Sequence, residues 1–157
     1  MNAKGVILRA FEQFRLKTCI DFRPKFWNEQ HIAIKKEEGC WSYVGKNVRD
    51  QELSIGSGCD SVATVEHELM HALGFWHEQS RYDRDNYISI NWGNIEEGKE
   101  HNFKIRTKDT NSTMDTPYDY FSVMHYPKDA FSNGNGSTII TKLPEFQDVI
   151  GQRLDII

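Results

Sequence analysis

The sequence predicts an α+β fold, with two helices and short strands in its first half and a mostly irregular second half. Apolar residues recur at helical spacing twice within the first 77 residues. Short apolar runs of strand length lie between these two stretches, and the segment after Glu78 is polar and lacks a regular period. Helices and strands combined in this way are typical of α+β domains.

The first helix is predicted from apolar residues at positions 3, 6, 7, 10, 11 and 14, which share one face at 3.6 residues per turn. Apolar runs of strand length follow at 19–22, 31–34 and 51–55. A second helix is then expected, with Asp60 or Ser61 as its N-terminal cap. Its predicted buried stripe consists of Val62, Val65, Leu69, Ala72, Leu73 and Trp76.

The second half is expected to contain few regular elements. A short helix is predicted near 96–103, and a strand or extended segment at 138–141. No repeat, low-complexity tract or linker divides the chain, so we expect a single domain over 1–157. The first helix starts at once and the chain ends on two isoleucines without a cap, so we expect this domain to be partial, a fragment truncated at both ends.

Composition excludes several functional classes. The formal net charge of −4 argues against a nucleic-acid-binding protein that works through bulk positive charge. Apolar residues make up 38% of the chain and aromatic residues 12%, which excludes a disordered polymer. No apolar run reaches the about 20 residues that a bilayer span requires, so we expect no membrane span.

The three cysteines leave the compartment open at this stage. Cys19, Cys40 and Cys59 form no Cys-x-x-Cys pair, and an odd number leaves one without an internal partner. Three reduced thiols in a cytosolic protein are one interpretation. Asn-x-Ser/Thr triplets at 111–113 and 135–137 weakly favour a secreted protein instead.

The second helix carries a pattern typical of a catalytic metal site. Residues 67–77 read HELMHALGFWH. His67 and His71 are four residues apart, so they project from one helix face and can bind one ion. Gly74 allows a sharp turn that brings His77 round as a third ligand, and Glu68 can reach a water molecule at the metal. Three protein ligands leave an open position, as in catalytic zinc sites.

These residues, together with Glu78 directly after the third histidine and SVMHY at 122–126, resemble the astacin family of zinc endopeptidases within the metzincin clan. The resemblance covers essentially the whole chain. It implies a zincin-like catalytic domain, with a mixed sheet and a zinc-binding central helix in the N-terminal half. It also implies one Zn²⁺ per chain and an active-site cleft between the 1–77 and 78–157 halves.

The resemblance assigns roles to individual residues. It implies that His67, His71 and His77 bind zinc and that Glu68 is the general base in hydrolysis of internal peptide bonds. Tyr126 matches a tyrosine that binds zinc and stabilises the developing oxyanion. Structural roles are implied for three further residues, which are Met124, Gly74 and Glu78. His125 is interpreted as structural, and His31 and His101 as residues outside the metal site.

The resemblance also assigns the cysteines. Cys40 and Cys59 match an internal disulfide, whereas Cys19 matches the partner of a cysteine that this chain lacks. A secreted protein, or one on the extracellular face of a membrane, then becomes the favoured interpretation. A propeptide and appended domains are expected outside this sequence.

The resemblance also implies protein or peptide substrates and basic residues that recognise them. Lys99 and Arg153 match basic positions that bind acidic residues just after the cut, whereas a third such position is the neutral Ser61. We therefore expect a modest acidic preference. The alternative interpretations are that Lys99 and Arg153 are solvated surface charges, and that the chain is an inactive or binding-only astacin-like fragment.

Overall fold

The computed structural model describes residues 3–47, 50–110 and 112–154 of the chain. These residues divide into two units. The first runs to Phe75 and takes in Leu154, and the second comprises Trp76–Arg153. The two units differ in secondary structure, since both α-helices lie in the first.

The first helix is confirmed. Helix α1 (Ala3–Lys17) buries Val6, Ala10 and Phe14 on the face that the apolar spacing predicts. At its end the Thr18 hydroxyl donates to the Phe14 carbonyl over 2.7 Å, which satisfies an acceptor in the last turn.

The strand predicted at 19–22 is wrong, because local side chains take up its backbone donors. Ile20 N–H donates to the Thr18 hydroxyl and Phe22 N–H to the Asp21 carboxylate, both over 2.9 Å. The Phe22 ring stacks on Phe11 of α1, with centroids 4.6 Å apart. Phe22, one of the apolar residues on which the strand prediction rested, therefore packs on helix α1.

A three-stranded mixed sheet follows α1, as predicted for the first half. Strand β1 (Ile32–Lys35) pairs in parallel with β3 (Gln51–Ile55), and β2 (Cys40–Ser42) pairs with β3 from the other side in antiparallel orientation. The strand order is β1-β3-β2. Strand β1 begins one residue later than predicted. Sequence analysis missed β2, because three residues are too short to show a period of two.

Helix α2 (Val62–Ala72) carries the predicted histidine pattern. It begins at Ser61, whose hydroxyl oxygen accepts a backbone N–H of the first turn over 3.1 Å. Val65 and Leu69 are buried as predicted. The stripe is wrong at its C-terminal end, where the helix has already ended and Leu73 is 38% exposed.

The Cys40–Cys59 disulfide is present and joins β2 to the loop that precedes α2. Its two cysteines are 19 residues apart in the sequence, and closing such a loop stabilises a fold by about 3 kcal/mol in the chain-entropy model. In the described part of the chain, Cys19 is exposed and has a free thiol.

The second unit is built mainly from turns, as expected for the irregular half. Among its described residues, strands β4 (Ile88–Ile90) and β5 (Ile139–Thr141) pair in antiparallel orientation. The element predicted near 96–103 is a short 3-10 turn, Glu100–Phe103, and β4 was missed. The core of this unit is formed by Ile88, Ile95, Phe103, Tyr118, Tyr120, Ile139 and Ile150.

The α+β fold class predicted from the sequence is confirmed: the described residues form two α-helices, a three-stranded mixed sheet and a two-stranded antiparallel sheet. Neither helix in the described part of the chain combines the length and apolarity needed to cross a bilayer.

Candidate metal centre

Helix α2 presents two of the three histidines from one face. His67 and His71 are 3% and 7% exposed, so the helix buries both side chains. Their ring centroids are 4.7 Å apart and their planes nearly perpendicular. This is the side-by-side placement that spacing of four residues imposes on a helix.

A glycine turn ends α2 and sets the path to the third histidine. Gly74 N–H donates to the His71 carbonyl over 2.8 Å, and Phe75 N–H donates to the Met70 carbonyl over 3.0 Å. These two bonds are those of a Schellman motif. Gly74 has φ +105°, a conformation that strains residues with a side chain. The helix therefore stops within one turn of His71.

The three histidines form a group suited to a metal ion. His67, His71 and His77 each offer one ring nitrogen, and these nitrogens lie within 4.8 Å of one another. His71 Nδ1 is 2.8 Å from the Phe75 carbonyl oxygen. Because a carbonyl only accepts, Nδ1 carries the proton and Nε2 keeps the lone pair that a metal requires. A set of neutral imidazole donors fits zinc.

Two buried glutamates flank the first of these histidines on α2. Glu68 is 4% exposed and Glu66 is 0% exposed. Glu68 follows His67 directly, which is the position expected for the general base. Burial strengthens any charge interaction that its carboxylate makes, because the effective dielectric constant around it is lower than in water.

Tyr126 lies against the third histidine. Its ring centroid is 4.5 Å from that of His77. Phe131 and Phe103 contact the same phenol ring, with centroids 5.7 and 6.1 Å away. The structure thus brings together His77 and Tyr126, the two residues of the second unit that sequence analysis predicted as zinc ligands.

The turn that carries Met124 is tied to the segment after His77. Met124 is 2% exposed, and its carbonyl accepts the Glu78 N–H over 3.1 Å. The Glu78 carboxylate in turn accepts the Asp119 N–H and an Arg81 guanidinium N–H, over 2.9 and 3.1 Å. Burial raises the pKa of Glu78, against the opposing effect of these donors. Met124 and Glu78 therefore connect two stretches of the second unit.

His125 has a buried partner of its own and lies outside the metal-binding group. Its Nδ1 donates to the Tyr126 carbonyl over 2.8 Å, so Nε2 accepts the Tyr118 O–H over 2.7 Å. Burial lowers the pKa of His125 to about 4 and raises the pKa of Tyr118. Both residues are thus held in their neutral forms.

The predicted substrate-binding residues occupy different environments. Lys99 is exposed at the start of the 3-10 turn Glu100–Phe103. Arg153 is half-buried with φ +48°, an unusual conformation for a residue other than glycine. Ser61 caps α2 and so has a structural role of its own. The substrate roles of Lys99 and Arg153 stay predictions.

Sequence analysis missed Gln79, which contacts a predicted site residue directly. Gln79 is 0% exposed, and its side-chain Oε1 accepts the Tyr126 N–H over 3.1 Å. The two residues are 47 positions apart, and glutamine belongs to no motif in this stretch. Its position two residues after His77 was the only signal that could have drawn attention to it.

The chain is similar to known peptidases along its whole length. Residues 1–156 match the family described as Astacin, a family of peptidases. Meprin A subunit beta of Rattus norvegicus is 62% identical over 156 residues, which are 99% of this chain and 22% of that protein. Zinc metalloproteinase nas-31 of Caenorhabditis elegans is 44% identical over 154 residues, which are 96% of this chain and 25% of that protein.

A solved structure supports the same relationship. High choriolytic enzyme 1, a hatching enzyme zinc-protease from Oryzias latipes, superposes with a TM-score of 0.91 at 39% identity, covering 99% of this chain and 76% of that one.

Within the family, the sequence predicts a particular similarity to the meprin β subunit. This prediction rests on the stretches 2–22, 71–85, 100–103, 117–126 and 148–155. The identity to Meprin A subunit beta confirms it. The chain spans about a fifth of the length of that relative. The family match over residues 1–156 and a fold shared with a zinc-protease at 39% identity lead to one conclusion. The chain belongs to the astacin family of metalloendopeptidases.

Proposed function

We propose that this chain is a peptidase domain that uses one zinc ion to hydrolyse internal peptide bonds of proteins and peptides. The observation that carries the proposal is the group of three histidine nitrogens beside the buried Glu68 on α2. Relatives named as zinc metalloproteinases and a zinc-protease of the same fold support it.

His67, His71 and His77 are the residues that would hold the zinc, with Tyr126 as a further ligand. When bound, zinc supplies Lewis-acid chemistry, which lowers the pKa of water and polarises a carbonyl group. The proton on His71 Nδ1 is fixed by the Phe75 carbonyl, so this ligand needs no change of tautomer.

Glu68 acts as the general base. Its carboxylate takes a proton from the water molecule that attacks the scissile carbonyl carbon, and later delivers that proton to the leaving amine. Since the water attacks directly, no acyl-enzyme forms and no nucleophilic side chain is needed. The burial of Glu68 keeps competing water away from this proton transfer.

Tyr126 stabilises the oxyanion that develops as water adds to the carbonyl carbon. Its phenol O–H donates to that oxygen, and such a donor contributes most when it is held in position beforehand. The rings of His77, Phe103 and Phe131 around the phenol restrict it in this way.

Lys99 and Arg153 bind an acidic side chain on the substrate just after the cut. Their positive charges give a modest preference for Asp or Glu, limited by the neutral Ser61 at the third matching position. Replacing both with alanine flattens this preference in a cleavage profile. A wild-type profile that is indifferent to Asp and Glu would exclude this part of the proposal.

The Cys40–Cys59 disulfide supports a location in an oxidising environment, so the protein is secreted or lies on the extracellular face of a membrane. Relatives several times longer than this chain are consistent with a propeptide and appended domains in the whole protein.

Hydrolysis of a mixed peptide library by the refolded, oxidised chain tests the proposal. We expect internal cleavage that a zinc chelator abolishes and added zinc restores, and a loss in kcat of about 10²–10³-fold in Tyr126→Phe. Zinc binding without cleavage would favour the alternative, a binding-only or inactive fragment. Cleavage that persists without metal would contradict the zinc assignment.

A further inference from the structure

Gln79 is a wholly buried polar side chain that reaches the backbone of Tyr126. It lies in the 3-10 turn Glu78–Ser80 and is 0% exposed. Its Oε1 accepts the Tyr126 N–H over 3.1 Å. The donor in this bond is a backbone amide, so the oxygen end of the Gln79 side chain must face Tyr126.

The NH₂ group of the Gln79 side chain makes no hydrogen bond to a described residue that would offset its burial. Its Nε2 is buried and has no hydrogen-bond partner among the described residues. Burying an amide donor without a partner lowers the stability of the fold, a loss that a leucine or methionine of similar size would avoid. The acceptor oxygen is therefore the feature of Gln79 that the site uses, and it is retained at a cost in stability.

The bond lies where a predicted ligand and a predicted catalytic group meet. Gln79 follows His77 by two residues, and the ring of His77 contacts that of Tyr126 at 4.5 Å. One turn of the chain thus contacts Tyr126 twice, through the His77 ring and through the Gln79 oxygen. Gln79 itself is inaccessible to substrate because its side chain is fully covered.

We propose that Gln79 is a positioning residue that holds the Tyr126 backbone so that the phenol stays beside His77. This inference rests on the proposed function, because it requires Tyr126 to stabilise the oxyanion. Since the phenol contacts the developing oxyanion and not the intact bound peptide, loss of the Gln79 oxygen lowers kcat and leaves KM nearly unchanged.

Gln79→Met removes the acceptor and keeps the length of the side chain. Gln147→Met is a matched control, because Gln147 Oε1 likewise accepts a backbone N–H, that of Thr141, over 2.8 Å. We expect the Tyr126 amide to exchange about five- to tenfold faster in Gln79→Met, as for the loss of one hydrogen bond, and at the wild-type rate in Gln147→Met. NMR hydrogen exchange measures this on metal-free protein.

A double-mutant cycle with Tyr126→Phe measures the catalytic part. In the wild-type background we expect Gln79→Met to lower kcat about five- to tenfold with zinc content unchanged. In the Tyr126→Phe background the same substitution changes kcat less than about twofold, because the group it positions has been removed. Should Gln79→Met fail to fold, Gln79→Asn, whose oxygen cannot reach as far, replaces it in both experiments.

The possible outcomes separate this inference from the proposed function. Equal losses in both backgrounds, or unchanged exchange of the Tyr126 amide, would overturn the role of Gln79 and leave the zinc peptidase intact. Wild-type kcat in Tyr126→Phe alone would refute the proposed role of Tyr126, and the Gln79 inference with it. A loss of kcat on Gln79→Met that occurs in the wild-type background and not in the Tyr126→Phe background supports the inference.

Discussion

Gly74 couples backbone conformation to the histidine group, so Gly74→Ala should affect both stability and metal affinity. The residue has φ +105°. Among the described atoms, a Cβ there would meet only the Gly45 Cα, at 4.0 Å, which is an ordinary contact. The cost of the substitution is therefore backbone strain, about 1–2 kcal/mol for a side chain in a left-handed conformation.

The strain should appear as weaker zinc binding. Without metal, the variant can relax the turn after α2, which moves His77 away from His67 and His71. Zinc binding must then restore the strained turn. If about 1–2 kcal/mol opposes binding, the zinc dissociation constant rises about 5- to 30-fold. Competition with a chromogenic chelator measures this change.

Gly58→Ala is the matched control for this experiment. Gly58 has φ +84° and no described atom within 4 Å of the added carbon, so it incurs a similar strain away from the histidines. Urea unfolding of the zinc-loaded protein, in which the turn after α2 is held, should show comparable losses in the free energy of unfolding for both variants, with zinc affinity unchanged in Gly58→Ala. Equal zinc affinity in the two variants would refute the coupling between the turn and the metal group.

Further predictions concern stability. Replacing Cys40 and Cys59 with serine should lower the free energy of unfolding by about 3 kcal/mol in urea titrations, and an unchanged value would contradict the loop-closure argument. Tyr118→Phe removes the donor to buried His125 and should cost about 1–3 kcal/mol, measured in the same way. The hydrogen bond from the Arg81 guanidinium lowers the pKa of Asp83 in the folded state below its unfolded value of 3.8. The ionised Asp83 carboxylate therefore stabilises the fold above pH 3.8, and this stabilisation is lost as the pH falls through the folded-state pKa. Asp83→Asn should flatten that acidic part of the stability profile, and a profile of unchanged shape would exclude the contribution.

The parts of the site that depend on local sequence could be predicted. Four-residue spacing places His67 and His71 on one helix face, and Gly74 ends that helix, because both effects act within a few residues. The turn that Gly74 makes has the hydrogen bonds of a known motif. The Cys40–Cys59 pairing was implied by family resemblance, since spacing alone does not determine connectivity.

The parts that depend on long-range contacts could not be predicted. The 19–22 segment has the composition of a strand, yet its donors bond to nearby side chains and Phe22 packs on α1. The bond between Gln79 and Tyr126 joins residues 47 positions apart. A buried glutamine in the folded chain and an exposed one look identical in a single sequence.

The most direct test of the zinc peptidase is a comparison of two isosteric substitutions on α2. Glu68 and Glu66 are both buried and flank His67, but only Glu68 is assigned as the general base. With zinc content equal, Glu68→Gln should lower kcat for peptide hydrolysis by about 10²–10⁴-fold, while Glu66→Gln keeps the wild-type kcat. Full activity in Glu68→Gln would contradict the account, as would equal losses in the two variants.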